Sequence, residues 1–341
     1  MILPLDRSTL RNLVSPNQRW IRFHFPNLYP PWDNMSDRFL REALMRFGIM
    51  TMQIEALVPS GLSADRMLAH VAGFDIVNLV RELSGHDFHP IELGGDMSLF
   101  LPHTLDQEAI ARLAALKTEL DLSFTVHLPL WSVEPSTPLE PVRLGSAQAL
   151  IDTVLSTRPL QPEVYVLHAT GALAAEFYRM RLPEMARALL LRQFQARARD
   201  SIQSLLAVTE LPSRRLAIET IEFPLDLTLE LAEELDLSIC FDTGHVLAGF
   251  SGLLDFFDAL DRCLPRLAEV HLHDSPALQP QQEVVYGKDH QPLGSGDLPL
   301  DRFLDRLETV GFDGPLVFEL RLEEALASLE TIRMQRPELV V

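Results

Sequence analysis

LAIETIEFPLDLTLELAEELDLSICFDT, residues 216–243, contains a complete strand–helix–strand unit. The runs 216–221 and 237–243 are short, apolar and rich in β-formers, and 226–235 between them reads as a helix. Two strands joined through a helix pair in parallel by a crossover. The same alternation extends in both directions. Further strands are expected near 47–55, 89–94, 123–130, 164–169, 269–274 and 315–320, with helices such as 104–119, 143–156, 172–206, 299–309 and 323–334. Eight strands alternating with helices predict closure into a (β/α)8 TIM barrel. An open doubly wound sheet is the competing architecture, but its glycine-rich first turn is absent.

The barrel is expected over residues 46–341, preceded by an N-terminal extension, residues 1–45. Pro26, Pro30, Pro31, Phe23, Phe25 and Trp32 suggest an arm that packs on the barrel or on a partner subunit of a homo-oligomer. A chain of 341 residues, 47% hydrophobic, has ample material for one large core. Its net charge of −19 opposes a nucleic-acid partner. With only two cysteines, no signal-like N-terminus and no apolar run of membrane-spanning length, a cytoplasmic protein is expected.

Barrel strands should be almost wholly apolar. Here most of them end in a residue that can bind a metal. His127, His168, Glu219, Asp242 and Glu319 close their strands, and His245 follows three residues after Asp242. Strand seven carries His271, His273 and Asp274, strand two carries Glu92, and Asp289 and His290 lie in the loop KDHQPLGSGD. A period of two puts Ala217 with Glu219, Val166 with His168, Cys240 with Asp242 and Val317 with Glu319. Each polar residue thus sits above a small or apolar one on the same face, at the barrel end where active sites are found. Converging carboxylates repel one another, and divalent cations relieve that repulsion. The mixed His and carboxylate set suits zinc, with manganese or iron as alternatives, better than calcium. The Ser-elbow and phosphate-loop motifs are absent. Cys240 lies beside carboxylates that oppose a thiolate, and Lys117 and Lys288 are the only lysines. The PLGSGDLP segment reads as a turn that shapes its loop, with phosphate binding by its backbone as the other reading.

AIET, CFDTGH, EVHLHD, DHQPLGSGD and LVFEL, in that order, resemble the xylose isomerase-like TIM-barrel superfamily across residues 47–335. The superfamily also includes apurinic endonucleases and sugar-phosphate isomerases and epimerases. Resemblance to the epimerases implies one metal held by Glu219, Asp242, His271 and Glu319, with the two Glu residues moving a proton. Those enzymes place an Arg soon after the strand-seven His, and HLHDSPALQPQQ has none. Resemblance to the endonucleases implies a trinuclear zinc centre that adds His127, His168, His245, Asp289 and His290. In that group the last Asp and His are one residue apart, whereas here they are adjacent. FTVHLPLWS, VRLGSAQAL and TRPLQPEVYVLH are further similar to cobamide-remodelling phosphodiesterases, which cleave the nucleotide loop of corrinoids; GIMTMQIEA departs from that group's opening strand.

Three functions follow. The first is a small-molecule phosphodiesterase in which a metal-activated water attacks phosphorus. The alternative is a sugar or sugar-phosphate isomerase or epimerase, and the third is a barrel that only binds. Glu219, Glu319 and His245 are the expected catalytic residues, and Glu92, His273 and Asp274 the expected substrate-binding ones.

Overall fold

The computed structural model describes residues 45–53, 56 and 61–340. Among them, eight strands pair in chain order and close into a barrel. They are β1 (Arg46–Met50), β2 (Ile91–Gly94), β3 (Phe124–His127), β4 (Tyr165–Leu167), β5 (Leu216–Glu219), β6 (Ser238–Asp242), β7 (Leu267–His271) and β8 (Pro315–Phe318). All pairings are parallel, including β1 with β8, where Ile49 is opposite Phe318. The predicted (β/α)8 TIM barrel is the observed fold. Contacts group the described residues into one unit. The extension anticipated over 1–45 lies outside the described residues except for Met45.

Alternation along the strands separates two environments. Ile218, Phe241, Val270 and Phe318 face outward into the layer beneath the helices. Their neighbours face the barrel axis, where Val164, Val166, Ala217 and Cys240 form a small-residue cluster. The bulky residues go outward because helices can move to accommodate them, whereas the axis is a closed space.

The strands are shorter than the sequence runs suggested. β3 stops at His127 because Pro129 has no N–H to continue a ladder, and the Asp96 carboxylate accepts the Leu130 and Trp131 amides instead. β1 stops at Met50, and residues 54–55 of the expected run are outside the described residues. The helix expected over 172–206 is two helices, Ala172–Arg179 and Glu184–Thr209. Pro183 interrupts them, since proline disfavours helical backbone in the residue before it. No helix among the described residues is long and apolar enough to cross a membrane.

Phe318 is fully buried and packs against Phe47 and Phe88, with ring centroids at 6.0 and 6.1 Å. Phe318→Ala should cost about 3–5 kcal/mol of stability. A guanidinium unfolding curve shifted by less than about 1 kcal/mol would contradict this packing.

Candidate metal centre

The inward-facing residues form two polar tiers. The lower tier holds Glu92, Thr125 and Glu269, all fully buried. Thr125 Oγ1 lies 3.1 Å from Glu92 and 3.0 Å from Glu269. A hydroxyl has a single proton, so it donates to one carboxyl group and accepts from the other, which must be protonated. Burial, reinforced by the neighbouring Glu92 carboxylate, pushes Glu269 well above the usual carboxylate range. Glu269 escaped the sequence reading, although it precedes His271 by two and therefore shares its face.

The upper tier converges on Glu219, which ends β5. Its Oε2 lies 3.1 Å from His127 Nε2 and 2.9 Å from His168 Nε2, and its Oε1 lies 3.0 Å from His245 Nδ1. His127 Nδ1 donates to the Leu128 carbonyl at 2.9 Å, which turns Nε2 toward the centre. His271 Nδ1 faces Glu319 at 3.4 Å, Glu219 at 3.5 Å and Asp242 at 3.8 Å. Neither ring nitrogen of His271 has a hydrogen-bond partner, although the residue is fully buried. The first two spacings are long for hydrogen bonds but right for ligands of one ion, and the third is slightly wider. Bonds of about 2.0–2.2 Å in tetrahedral geometry set neighbouring donors roughly 3.3–3.6 Å apart. Glu219–Asp242–His271–Glu319 and His127–His168–Glu219 are two of the groups close enough to hold a divalent metal, and they share Glu219.

A third group forms around His245. Its Nε2 lies 3.5 Å from Asp289 Oδ2. His290 Nδ1 is 2.6 Å from the same oxygen, and His290 Nε2 is 3.3 Å from Glu319 Oε2. Asp289 and His290 thus both reach the centre despite being adjacent.

Glu92, His273 and Asp274, expected to bind substrate, do not line the cavity above the centre. Glu92 belongs to the lower tier, with Oε1 3.5 Å from His271 Nε2. His273 lies close enough to His245 and His290 to share an ion. However, its Nδ1 accepts the His290 amide at 3.0 Å, and its Nε2 donates to Asp242 at 2.9 Å. Asp274 accepts the amides of Ser275, Gly294, Gly296 and Leu298 at 2.9–3.0 Å. Two of those amides come from the LGSG turn, so this backbone is already engaged and the turn reading holds over phosphate binding.

The cavity has a volume of about 570 Å³. His127, His168, Glu219, His245, Asp289, His290 and Glu319 form its floor, beneath walls that include Met52, Trp131, Phe250 and Tyr286. The sequence reading missed these walls, because single aromatics in loops carry no periodic signal.

Residues 77–337 match the model of the xylose isomerase-like TIM-barrel family. The chain belongs to this family. It is 22% identical to the uncharacterised protein MJ1311 of Methanocaldococcus jannaschii over 242 residues, 68% of this chain and 76% of that one. A D-tagatose 3-epimerase-like protein superposes with a TM-score of 0.63 at 17% identity, covering 86% of this chain and 98% of that one. Endonuclease IV from Thermus thermophilus superposes with a TM-score of 0.58 at 19% identity, covering 86% and 99%. At these identities the superpositions establish the shared barrel.

The charges in this xylose isomerase-like barrel balance one another. Burial opposes a charged His127, but its hydrogen bond to Glu219 and nearby carboxylates outweigh burial and raise the ring to about 9. His290, on the same logic through Asp289 and Glu319, is also raised to about 9. Burial would lift Glu219 and Glu319, yet surrounding imidazoles hold both well below the carboxylate range. The Cys240 thiol is pushed far up by burial, which outweighs the opposing effect of His271. A metal ligand must be a neutral imidazole. Rings protonated at pH 7 must therefore lose their protons to bind, and affinity should rise from pH 7 toward 9. Zinc titrated into protein stripped of metal should release protons, read by calorimetry in buffers of different ionisation heat. Zinc binding with no proton release would contradict the assignment of His127 and His290 as ligands.

Proposed function

We propose that the chain is a metal-dependent phosphodiesterase acting on a small molecule. The observation that carries this reading is the clustering of His127, His168, His245, Asp289 and His290 around the four-residue group at His271. Mononuclear proton transfer needs only Glu219, Asp242, His271 and Glu319, and leaves those five without work. Zinc fits the mixed nitrogen and oxygen donors best, with manganese and iron next. Metals bound there would activate water and offset charge on the phosphoryl oxygens.

In the net reaction, water oxygen attacks phosphorus and the P–O bond to the leaving alcohol breaks. The proton lost by water matches the one gained by the alcohol, so a diester and water yield a monoester and an alcohol. Glu219 and Glu319, whose side chains line the cavity, would take up that proton. His245, also lining the cavity, orients Glu219 and Asp242 through Nδ1. The cavity is of the size that holds one small molecule, and the net charge of −19 disfavours a polyanion. The corrinoid nucleotide loop, suggested by residues 124–168, is among the substrates to assay.

The alternative reading is a sugar or sugar-phosphate epimerase with Glu219 and Glu319 as the acid–base pair. Zinc-loaded protein should hydrolyse bis(4-nitrophenyl) phosphate, and His127→Ala should lower kcat by about 100-fold, about 2.7 kcal/mol. One ion per chain, with turnover of a ketose that survives His127→Ala, would select the epimerase. A wild-type protein replete with zinc and inert to phosphodiesters would sink the hydrolase.

A further inference from the structure

His290 has a left-handed backbone, with φ at 56°. That conformation is strained for a residue with a side chain. In an extended chain, neighbouring side chains point to opposite sides, so Asp289 and His290 could not both face one centre. With His290 turned, Asp289 reaches His245 and His290 reaches Glu319.

The turn is held from beneath by His273. The His290 amide donates to His273 Nδ1 at 3.0 Å, and the two rings stack at 4.1 Å with planes 9° apart. At the ring's other edge, Nε2 lies 2.9 Å from Asp242 Oδ2. The ring is fully buried, and a Cβ added at Gly244 would come within 2.1 Å of Nδ1. A ring nitrogen that accepts an N–H carries no proton, so the proton is on Nε2. His273 is therefore neutral, with neither nitrogen free to bind an ion. A backbone bridge between Asp274 and Gln291 also secures the next residue of the loop.

We propose that His273 is a positioning residue that clasps the left-handed turn at His290 and aligns Asp242, so that the adjacent Asp289 and His290 both serve the centre. This rests on the metal-site reading above. Two substitutions separate the two bonds. An Asn side chain places its amide oxygen near the Nδ1 position, and a Gln side chain places its amide NH2 near the Nε2 position. His273→Asn thus keeps the bond from His290, and His273→Gln keeps the bond to Asp242.

Deuterium exchange on the full-length protein stripped of metal reads the clasp directly. His273→Gln should speed exchange across residues 287–291 by about ten-fold, while His273→Asn stays near wild type. Unchanged protection of β6 and β7 shows that the barrel has folded. Zinc titration should then find one fewer ion per chain in His273→Gln and the wild-type number in His273→Asn. Exchange at the wild-type rate in His273→Gln overturns the clasp, as does equally fast exchange in both variants. Fast exchange with a full zinc count overturns its link to the centre. In the wild type, side-chain nitrogen NMR at pH 7 should show His273 neutral with its proton on Nε2, and any other form overturns the proposal. If the wild type takes up no zinc, the metal reading falls, and exchange and NMR alone decide the clasp.

Discussion

Glu219 is 2% exposed, and a carboxylate cannot be buried that deeply without partners. Three imidazoles touch its two oxygens, and a fourth faces it at 3.5 Å. The rest of the upper tier follows from that requirement. The imidazoles need carboxylates of their own, which Asp242, Asp289 and Glu319 supply. The outcome is a dense, alternating set of charges at the barrel mouth. It is the kind of site in which a divalent ion replaces protons rather than adding to an existing charge excess.

Much of this was legible in the sequence because a strand has a period of two. Once Glu219, Asp242, His271 and Glu319 were read as late residues on inward faces, closure of the barrel brought them together. The same rule, carried one step back from His271, would have found Glu269. Asp274 and His273 lie outside the cavity lining for a different reason. Type and position make each look like a contact for substrate, whereas their roles depend on which backbone amides arrive from a loop some twenty residues later. Strand ends were overestimated where a proline or a competing carboxylate stopped the ladder, as at Pro129 and Asp96. Apolar runs do not record hydrogen-bond partners.

The barrel by itself does not choose a reaction. An epimerase-like protein and an endonuclease both superpose on it at under 20% identity, so the frame accommodates more than one chemistry. What distinguishes the readings here is how many side chains crowd around the shared quartet. The loop residue His290 that adds to it is held by a polar contact from His273, just beyond β7.

Gly244 lies within CFDTGH, where a glycine would ordinarily be read as a source of chain flexibility. It is not among the residues with positive φ, and the space above it is filled by the imidazole of His273. Its meaning is therefore one of volume. A relative with any larger residue at 244 has no room for an imidazole at 273, and one that shortens residue 273 frees position 244 to vary. The two positions, distant in the chain, should change together across the family, so that a pair of letters in the sequence records the dimensions of one ring.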